Sequence, residues 1–147
     1  MKFALIIGLS IVASAQSFYA GGLTAQPQSS PKPSGWAALA VEASSKAQLW
    51  SISEMDFTLV AGKVQSSVRT GIATPLRTIG TVTIYGLGDA GTSTTGSASG
   101  SAFAGGGIAI IPVGRKGLQA VAGVRILKTA VGGTQTLVEI GFGKAMK

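Results

Sequence analysis

The sequence predicts an all-β fold, namely an antiparallel, up-and-down, eight-stranded transmembrane β-barrel that follows a cleaved signal peptide. Three observations lead to this prediction. The chain begins with a short apolar leader, no helical period is sustained over about 11 residues after it, and eight segments alternate apolar with polar or small side chains. Most of these segments are close to the 9 to 11 residues that a tilted strand needs to cross a bilayer.

The leader occupies residues 1–15 and has the three parts of a signal peptide. Lys2 supplies a positive charge, residues 3–13 form an apolar core, and the Ala-Ser-Ala at 13–15 is a small-residue cleavage site. A transmembrane anchor, the alternative, needs about 18 to 20 apolar residues, and serines interrupt this run too early. We therefore predict export, with residues 16–147 forming a single β-barrel domain.

Composition excludes several classes of site. The chain has no cysteine and no histidine, so disulfides, Ser-His or Cys-His nucleophiles and ordinary zinc sites are excluded. Hydrophobic residues make up 46% of the chain and the mean hydropathy is +0.44. Without the leader the chain keeps 11 basic and 5 acidic residues, a net charge of +6. Because these charges are scattered, we expect no nucleic-acid partner and favour anionic lipid or lipopolysaccharide.

The strands and their connections follow a regular order. If the N-terminus lies in the periplasm, the two longest connections, 26–34 and 89–101, both lie outside the cell. Long outer and short inner connections are typical of outer-membrane barrels. Any surface ligand is therefore expected to bind these two loops. The predicted strands are 18–25, 35–43, 47–60, 64–74, 80–88, 102–113, 118–130 and 134–142.

The closing hairpin, 118–142, has one continuous apolar face. With a turn at 131–133, Arg125 lies opposite Glu139 on the other face, where the two charges can pair. An apolar face outside and paired charges inside are typical of a small membrane barrel. The apolar face consists of Ala120, Ala122, Val124, Ile126, Thr136, Val138, Ile140 and Phe142.

The third predicted strand carries two acidic residues that need an interior position. Regular alternation places Trp50 on the same face of the strand as Glu54 and Asp56. A β-bulge near Ser53 would move the two acids to the face opposite Trp50 and turn them inward. Arg69 on the next strand could then balance one of them. We therefore predict an interior ion network. Its members are Glu54, Asp56, Arg69, Arg125 and Glu139.

Aromatic residues near the strand ends predict two girdles at the membrane interfaces. Tyr85, in the middle of a predicted strand, is the exception. The predicted inner girdle contains Phe18, Tyr19, Trp50 and Phe142, and the predicted outer girdle contains Trp36, Phe57 and Phe103.

One motif and one residue pair raise the question of catalysis. Residues 86–91 contain G-x-G-x-x-G, but the Ser/Thr/Gly segment 92–101 cannot form the helix that a dinucleotide-binding turn needs. We interpret the motif as part of a flexible outer loop and expect no cofactor. Glu54 and Asp56 could act as an acid/base pair or bind calcium. Arg69 favours the ion network instead, so we expect neither a metal nor an enzyme.

These features resemble those of the small eight-stranded outer-membrane β-barrel proteins of Gram-negative bacteria. The resemblance covers 18–142 and includes Phe-Tyr-Ala-Gly-Gly at 18–22, Leu-Val-Glu-Ile-Gly-Phe at 137–142 and the charged interior. It implies an outer-membrane location and insertion by the outer-membrane assembly machinery. The family usually ends on an aromatic residue that this machinery recognises, whereas here residues 143–147 follow Phe142.

Several functions remain open. The leading expectation is a small outer-membrane barrel with a structural, envelope-stabilising or surface-interaction role and no wide pore, because eight strands leave room only for side chains. A narrow channel is a variant of it. A secreted, soluble β-sandwich that acts as an adhesin or binding module, in the periplasm or outside the cell, is the alternative. The channel variant rests on Gly71, Gly105, Gly107, Gly123 and Gly141, which would leave space inside.

Overall fold

The computed structural model describes residues 17–25, 34–44, 46–60, 62–114, 117–131 and 133–145. Within these ranges it describes the backbone but not the side chains of residues 17–25, 34, 43–44, 58, 60 and 145. The predicted leader, residues 1–15, lies outside the described residues. Most of the predicted first loop, 26–33, also lies outside them.

The described residues form strands joined by short connections, and no helix occurs among them. Each strand pairs with its neighbour in sequence in antiparallel fashion, and β1 pairs with β8 as well as with β2. The prediction of an all-β, antiparallel, up-and-down sheet is therefore confirmed. The strands are β1 Ser17–Ala25, β2 Ser34–Ser44, β3 Leu49–Val60, β4 Lys63–Ile79, β5 Val82–Thr95, β6 Ala98–Pro112, β7 Leu118–Thr129 and β8 Gly133–Ala145.

The sheet curls, so that it has an inward face and an outward face. The end of the sheet where β4 joins β5 and where β8 finishes is called here the terminal end, and the opposite end, where β5 joins β6, is the distal end. Side chains alternate between the two faces along each strand, as the burial pattern of β7 shows. The inward face holds two apolar clusters, one near each end.

The central strands are longer than the sequence predicts, and two predicted connections are wrong. The predicted connection 75–79 belongs to β4, which turns at 80–81, and the predicted loop 89–101 belongs to β5 and β6 except for a turn at 96–97. The threonines and serines of this loop alternate as strand residues do, and Ser66 Oγ and Thr94 Oγ1 are 2.8 Å apart across β4 and β5. The long outer loop at 89–101 is therefore absent from the fold.

The register of the closing hairpin differs from the predicted one by two residues. Thr129 pairs with Gly133, with turn residues at 130 and 131, and this register places Arg125 opposite Leu137 rather than Glu139. The predicted direct opposition is wrong because the turn begins one residue earlier than the sequence indicated. An even shift keeps every side chain on its predicted face, so the apolar side of the hairpin still points outward.

The predicted bulge in the third strand is also wrong. The register of β3 with β4 runs without interruption from Trp50 opposite Ala73 to Val60 opposite Lys63. Trp50 therefore shares the inward face with Glu54 and needs no shift of phase. The physical reason is that the inward face is layered: an apolar cluster near the terminal end accepts the aromatic side chain, and the acidic groups lie further along the same strand.

Candidate functional site

Four charged side chains form a closed ring on the inward face. The Arg69 guanidinium donates from Nη2 to Glu54 Oε1 at 3.2 Å and from Nε to Asp89 Oδ1 at 2.8 Å. Arg125 donates to the other oxygen of each of the same carboxylates, from Nη1 to Glu54 and from Nη2 to Asp89. Because each acid bridges both arginines, the ring ties β3, β4, β5 and β7 together across the interior.

Two further acids extend the ring on either side. Asp56 contacts Arg69 and accepts a hydrogen bond of 2.7 Å from Ser67 Oγ. Glu139 Oε1 lies 3.9 Å from Arg125 Nη1, too far for a hydrogen bond. The structure thus brings together all five residues of the predicted network, and it adds Asp89. We call these six residues the ion cluster; all are buried.

Glycines stand opposite the charged residues and make room for them. Gly91 pairs with Arg69, Gly71 pairs with Asp89, and Gly106 pairs with Arg125 on the neighbouring strand. A Cβ atom added at Gly91 would lie 2.0 Å from the carbonyl oxygen of Val68, which is shorter than any allowed contact. Sheet positions without side chains therefore let the strands approach closely beside the ion cluster.

The ion cluster contains more negative than positive groups. It holds two arginines and four of the five acidic residues of the chain. When all six groups are ionised, its formal charge is −2. Burial makes such an imbalance costly, because a charge away from water needs a partner of opposite sign or a proton.

A cavity of about 210 Å³ lies on the terminal side of the ion cluster. Its floor is formed by Glu54, Arg125 and Glu139, and most of its wall is apolar. Both tryptophans of the chain line it. The remaining described residues of the wall are Trp36, Ala38, Ala40, Trp50, Ile52, Ala73, Tyr85, Leu87, Ile108, Ile110, Gln119 and Val121.

Several polar atoms of the residues that line this cavity have no hydrogen-bond partner among the described residues. They are Trp36 Nε1, Gln119 Oε1, Arg125 Nε and Glu139 Oε1. Buried polar groups are usually hydrogen-bonded, so a group of four unsatisfied atoms around one cavity is uncommon. Two are donors and two are acceptors.

The distal side of the ion cluster is closed by polar and apolar side chains. Gln65 donates to Thr129 Oγ1 at 3.3 Å and accepts from Gln135 Nε2 at 3.3 Å, which connects β4 with β7 and β8. Leu127 and Leu137 pack beside these groups in the second apolar cluster. The interior therefore has an apolar cavity, a charged middle and a packed distal layer.

Asp89 is the member of the ion cluster that the sequence analysis missed. Glycines and hydroxyl residues surround it, and this composition predicts a flexible loop. The alternation of Leu87, Asp89 and Ser93, all buried, continues through that segment and was the available signal. The G-x-G-x-x-G motif at 86–91 accordingly lies inside β5 and forms no loop.

The aromatic residues divide between the two faces. Phe57, Phe103 and Phe142 point outward and are between 53% and 61% exposed. Trp36 and Trp50 line the cavity instead, so their predicted girdle positions are wrong; nearness to a strand end does not determine which face a residue occupies. The side chains of Phe18 and Tyr19 lie outside the described residues.

The narrow-channel prediction placed five glycines on the interior, and the alternation of β6 contradicts two of them. Gly105 and Gly107 alternate with the inward residues Ala104 and Ile110 and so occupy outward positions. Gly71 and Gly123 lie on inward-facing positions. Neither leaves open space, because a Cβ atom added at Gly71 would meet the backbone of Gly88 and one added at Gly123 would meet Ile108.

The described residues contain no group of three or more acidic side chains arranged to hold a metal ion. Among them, no helix is long and apolar enough to cross a membrane. Comparison with protein-family models, with curated proteins and with solved structures finds no match for this chain.

Proposed function

We propose that the chain is a closed, eight-stranded β-barrel of the outer membrane with a structural, envelope-stabilising role, and that it forms no wide pore. The observation that carries the proposal is an inverted distribution of polarity. The ion cluster is buried inside the curled sheet, while large apolar side chains are exposed on its outside. In water this arrangement would be costly, and in a bilayer it is the expected one.

The outward face supports contact with lipid. Exposed apolar side chains occur on β3, β4, β6, β7 and β8, whereas the exposed basic residues lie at or near strand ends, as Lys63, Lys128 and Lys144 do. Basic ends suit the anionic headgroups of lipid or lipopolysaccharide. The apolar residues on these five strands that are more than half exposed are Phe57, Val64, Val68, Ile72, Leu76, Ile79, Phe103, Val124, Ile126, Ile140 and Phe142.

The strand pairing supports closure. A transmembrane sheet cannot leave an unpaired edge in lipid, because no water is present to satisfy its backbone groups. β1 pairs with β2 on one side and with β8 on the other, although its register with β8 shifts between Gly21 and Leu23. With both pairings in place, β1 and β8 close the sheet and no strand edge is left unpaired.

The interior supports a plugged barrel. Eight strands enclose a space that side chains fill. Here the ring of Glu54, Arg69, Asp89 and Arg125 crosses that space, and the Gln65 hydrogen bonds cross it again on the distal side. A continuous aqueous path would require both layers to open, so we expect no conductance of the porin type.

Export, assembly and surface binding complete the proposal. The leader at 1–15 would direct the chain through the inner membrane, and the outer-membrane assembly machinery would insert it. With the predicted loop 89–101 replaced by strands and a tight turn, a surface ligand would have to bind 26–34 or the tip of the β5–β6 hairpin.

The soluble β-sandwich has less support. A sandwich needs two sheets packed face to face. The described strands pair in sequence order in one sheet, and the apolar face of the closing hairpin stays exposed, with Ile140 at 58%.

Fractionation and electrophoresis test the proposal. The protein should need detergent for extraction from the outer membrane, and it should migrate differently on a gel before and after boiling. Recovery in the aqueous periplasmic fraction, with one mobility under both conditions, would contradict a membrane barrel. Planar-bilayer recording should give no conductance above baseline for the purified protein, and open-channel steps would contradict the plugged interior.

A further inference from the structure

We propose that the cavity on the terminal side of the ion cluster binds a small organic ammonium compound, a primary ammonium group on an apolar body. The inference goes beyond an envelope role and concerns only the interior of the sheet. It combines the size of the cavity, its aromatic lining, the charge of its floor and its unsatisfied acceptors.

The size of the cavity limits the ligand. A dry protein cavity of about 150 Å³ can hold benzene. The cavity here is about 210 Å³, which leaves room for a molecule slightly larger than benzene, on the order of nine non-hydrogen atoms. A lining of aliphatic side chains such as Ile52, Leu87 and Val121 requires most of that molecule to be apolar.

The floor of the cavity favours a positively charged ligand. Glu54 is held by both arginines, but Glu139 has only Arg125 Nη1 at 3.9 Å and accepts no hydrogen bond at Oε1 from the described residues. Glu139 is 2% exposed and lines the cavity. An ammonium group beside it would reduce the formal charge of the cluster from −2 to −1 and would supply the missing donor.

The wall of the cavity suits a cation as well as an apolar group. Trp36, Trp50 and Tyr85 all line it, and aromatic faces attract ammonium ions. The Gln119 Oε1 acceptor, also without a partner among the described residues, offers a second hydrogen bond to an ammonium donor. An anionic ligand would instead meet the excess negative charge of the floor.

The apolar wall also indicates the source of the ammonium group. In an ethanolamine lipid headgroup a phosphate lies two carbons from the nitrogen, and this second charge would contact the apolar wall or the acids of the floor. A free amine with an alkyl or aryl body avoids both contacts. We therefore assign the site to a free amine rather than to a lipid headgroup.

Tryptophan fluorescence gives a direct test, because both tryptophans of the chain line the cavity. The mature protein is titrated in detergent micelles, or in buffer if it proves soluble without them, so the test does not depend on the membrane proposal. The probes are 2-phenylethylamine, its neutral analogue 2-phenylethanol, and phenylacetate. We expect a saturable change in emission with the amine, at least tenfold weaker binding of the alcohol and no binding of the anion.

Variants locate the charge that selects the amine. Glu139→Gln should reduce the preference for the amine over the alcohol by at least tenfold. The matched control is Glu42→Gln, which removes an acid that does not line the cavity and should leave the preference unchanged. Should Glu139→Gln fail to fold, Ala73→Leu narrows the cavity without changing a charge and should weaken binding of both probes.

Four results would overturn the proposal that the cavity selects an ammonium compound. They are the absence of any saturable change, equal affinity for the amine and the alcohol, tighter binding of phenylacetate, and an amine preference that survives Glu139→Gln. Equal affinity would indicate that Glu139 is held neutral by a proton. Micelles doped with phosphatidylethanolamine should not compete with the amine, and competition would assign the site to a lipid headgroup instead.

Discussion

Arg125 and Lys128 lie three positions apart on β7 and have the same charge, but they occupy opposite faces. Arg125 is 1% exposed and contacts Glu54 and Asp89, whereas Lys128 is exposed near the distal end. Removing one partner from a buried ion cluster leaves the other charges uncompensated and costs about 3–5 kcal/mol. Exposed side chains away from such clusters usually contribute less than about 0.5 kcal/mol.

We therefore expect Arg125→Ala to lower the free energy of unfolding by about 3–5 kcal/mol and Lys128→Ala to change it by less than about 0.5 kcal/mol. Urea titration of the detergent-solubilised protein measures both values. Similar losses in the two variants would contradict the interior position of Arg125.

Gly91 and Gly88 provide a second matched pair, on β5. A Cβ atom at Gly91 would lie 2.0 Å from a backbone oxygen, but at Gly88 the nearest atom is Ala104 O at 3.9 Å. Overpacking typically costs about 1–3 kcal/mol. We expect Gly91→Ala to lower the free energy of unfolding by at least that amount and Gly88→Ala to leave it unchanged or slightly raised. Equal stability of the two variants would show that the strands beside the ion cluster are not closely packed.

At the scale of single residues, the sequence predicts most members of the ion cluster, although for Glu54 and Asp56 the prediction invoked a β-bulge that the structure lacks. Glu54, Asp56, Arg69, Arg125 and Glu139 could be placed inside because acids and arginines in apolar strands have few other positions. Which charges touch could not be predicted, because the ring joins β3 to β7 across the interior and depends on the curvature of the whole sheet. The cavity was not predicted either, since its volume depends on the packing of many side chains.

The β5–β6 hairpin is the element that differs most from its sequence prediction. Its distal part consists of small hydroxyl residues and glycines, a composition typical of loops. In the structure these residues pair regularly up to Thr95 opposite Ala98. Backbone pairing depends on register with neighbouring strands and is independent of side-chain size, so local composition gave the wrong boundary.

Hydrogen exchange checks this hairpin. Amides at 92–94 should exchange slowly, because β5 pairs there with β4 on one side and with β6 on the other. Residues 119–127 of β7 serve as the protected reference, and the turn at 96–97 should exchange fast. Exchange of the whole segment 92–101 at the rate of the turn would show that this segment is a flexible loop and not a pair of strands.

Element types were easier to predict than element ends. All eight predicted strands overlap strands of the structure, because alternation extends over many residues. The turn of the closing hairpin was displaced by one residue, since adjacent glycines at 132–133 allow either position. This displacement leaves each side chain on its predicted face and changes only which residues of β7 and β8 lie opposite each other.

On the scale of the whole molecule, the arrangement of polarity is the main result. The ion cluster is buried inside, large apolar side chains are exposed outside, and the interior is layered into a cavity, an ion cluster and a packed distal end. The sequence predicted the inversion but suggested that the acids and the aromatic residues of β3 belong to different faces. Layering along the axis of the sheet removes that conflict, because it lets Trp50 and Glu54 share one face.

Spin labels along β7 test the central claim, that the outward face contacts lipid. The chain has no cysteine, so single cysteines at positions 121 to 127 can be labelled without background, after reconstitution in lipid vesicles. Labels at 122, 124 and 126 should collide readily with oxygen, which concentrates in the bilayer, and poorly with a water-soluble nickel chelate. Labels at 121, 123, 125 and 127 should be shielded from both reagents. Ready access of the nickel chelate to positions 122, 124 and 126 would show that the outward face of β7 contacts water and not lipid.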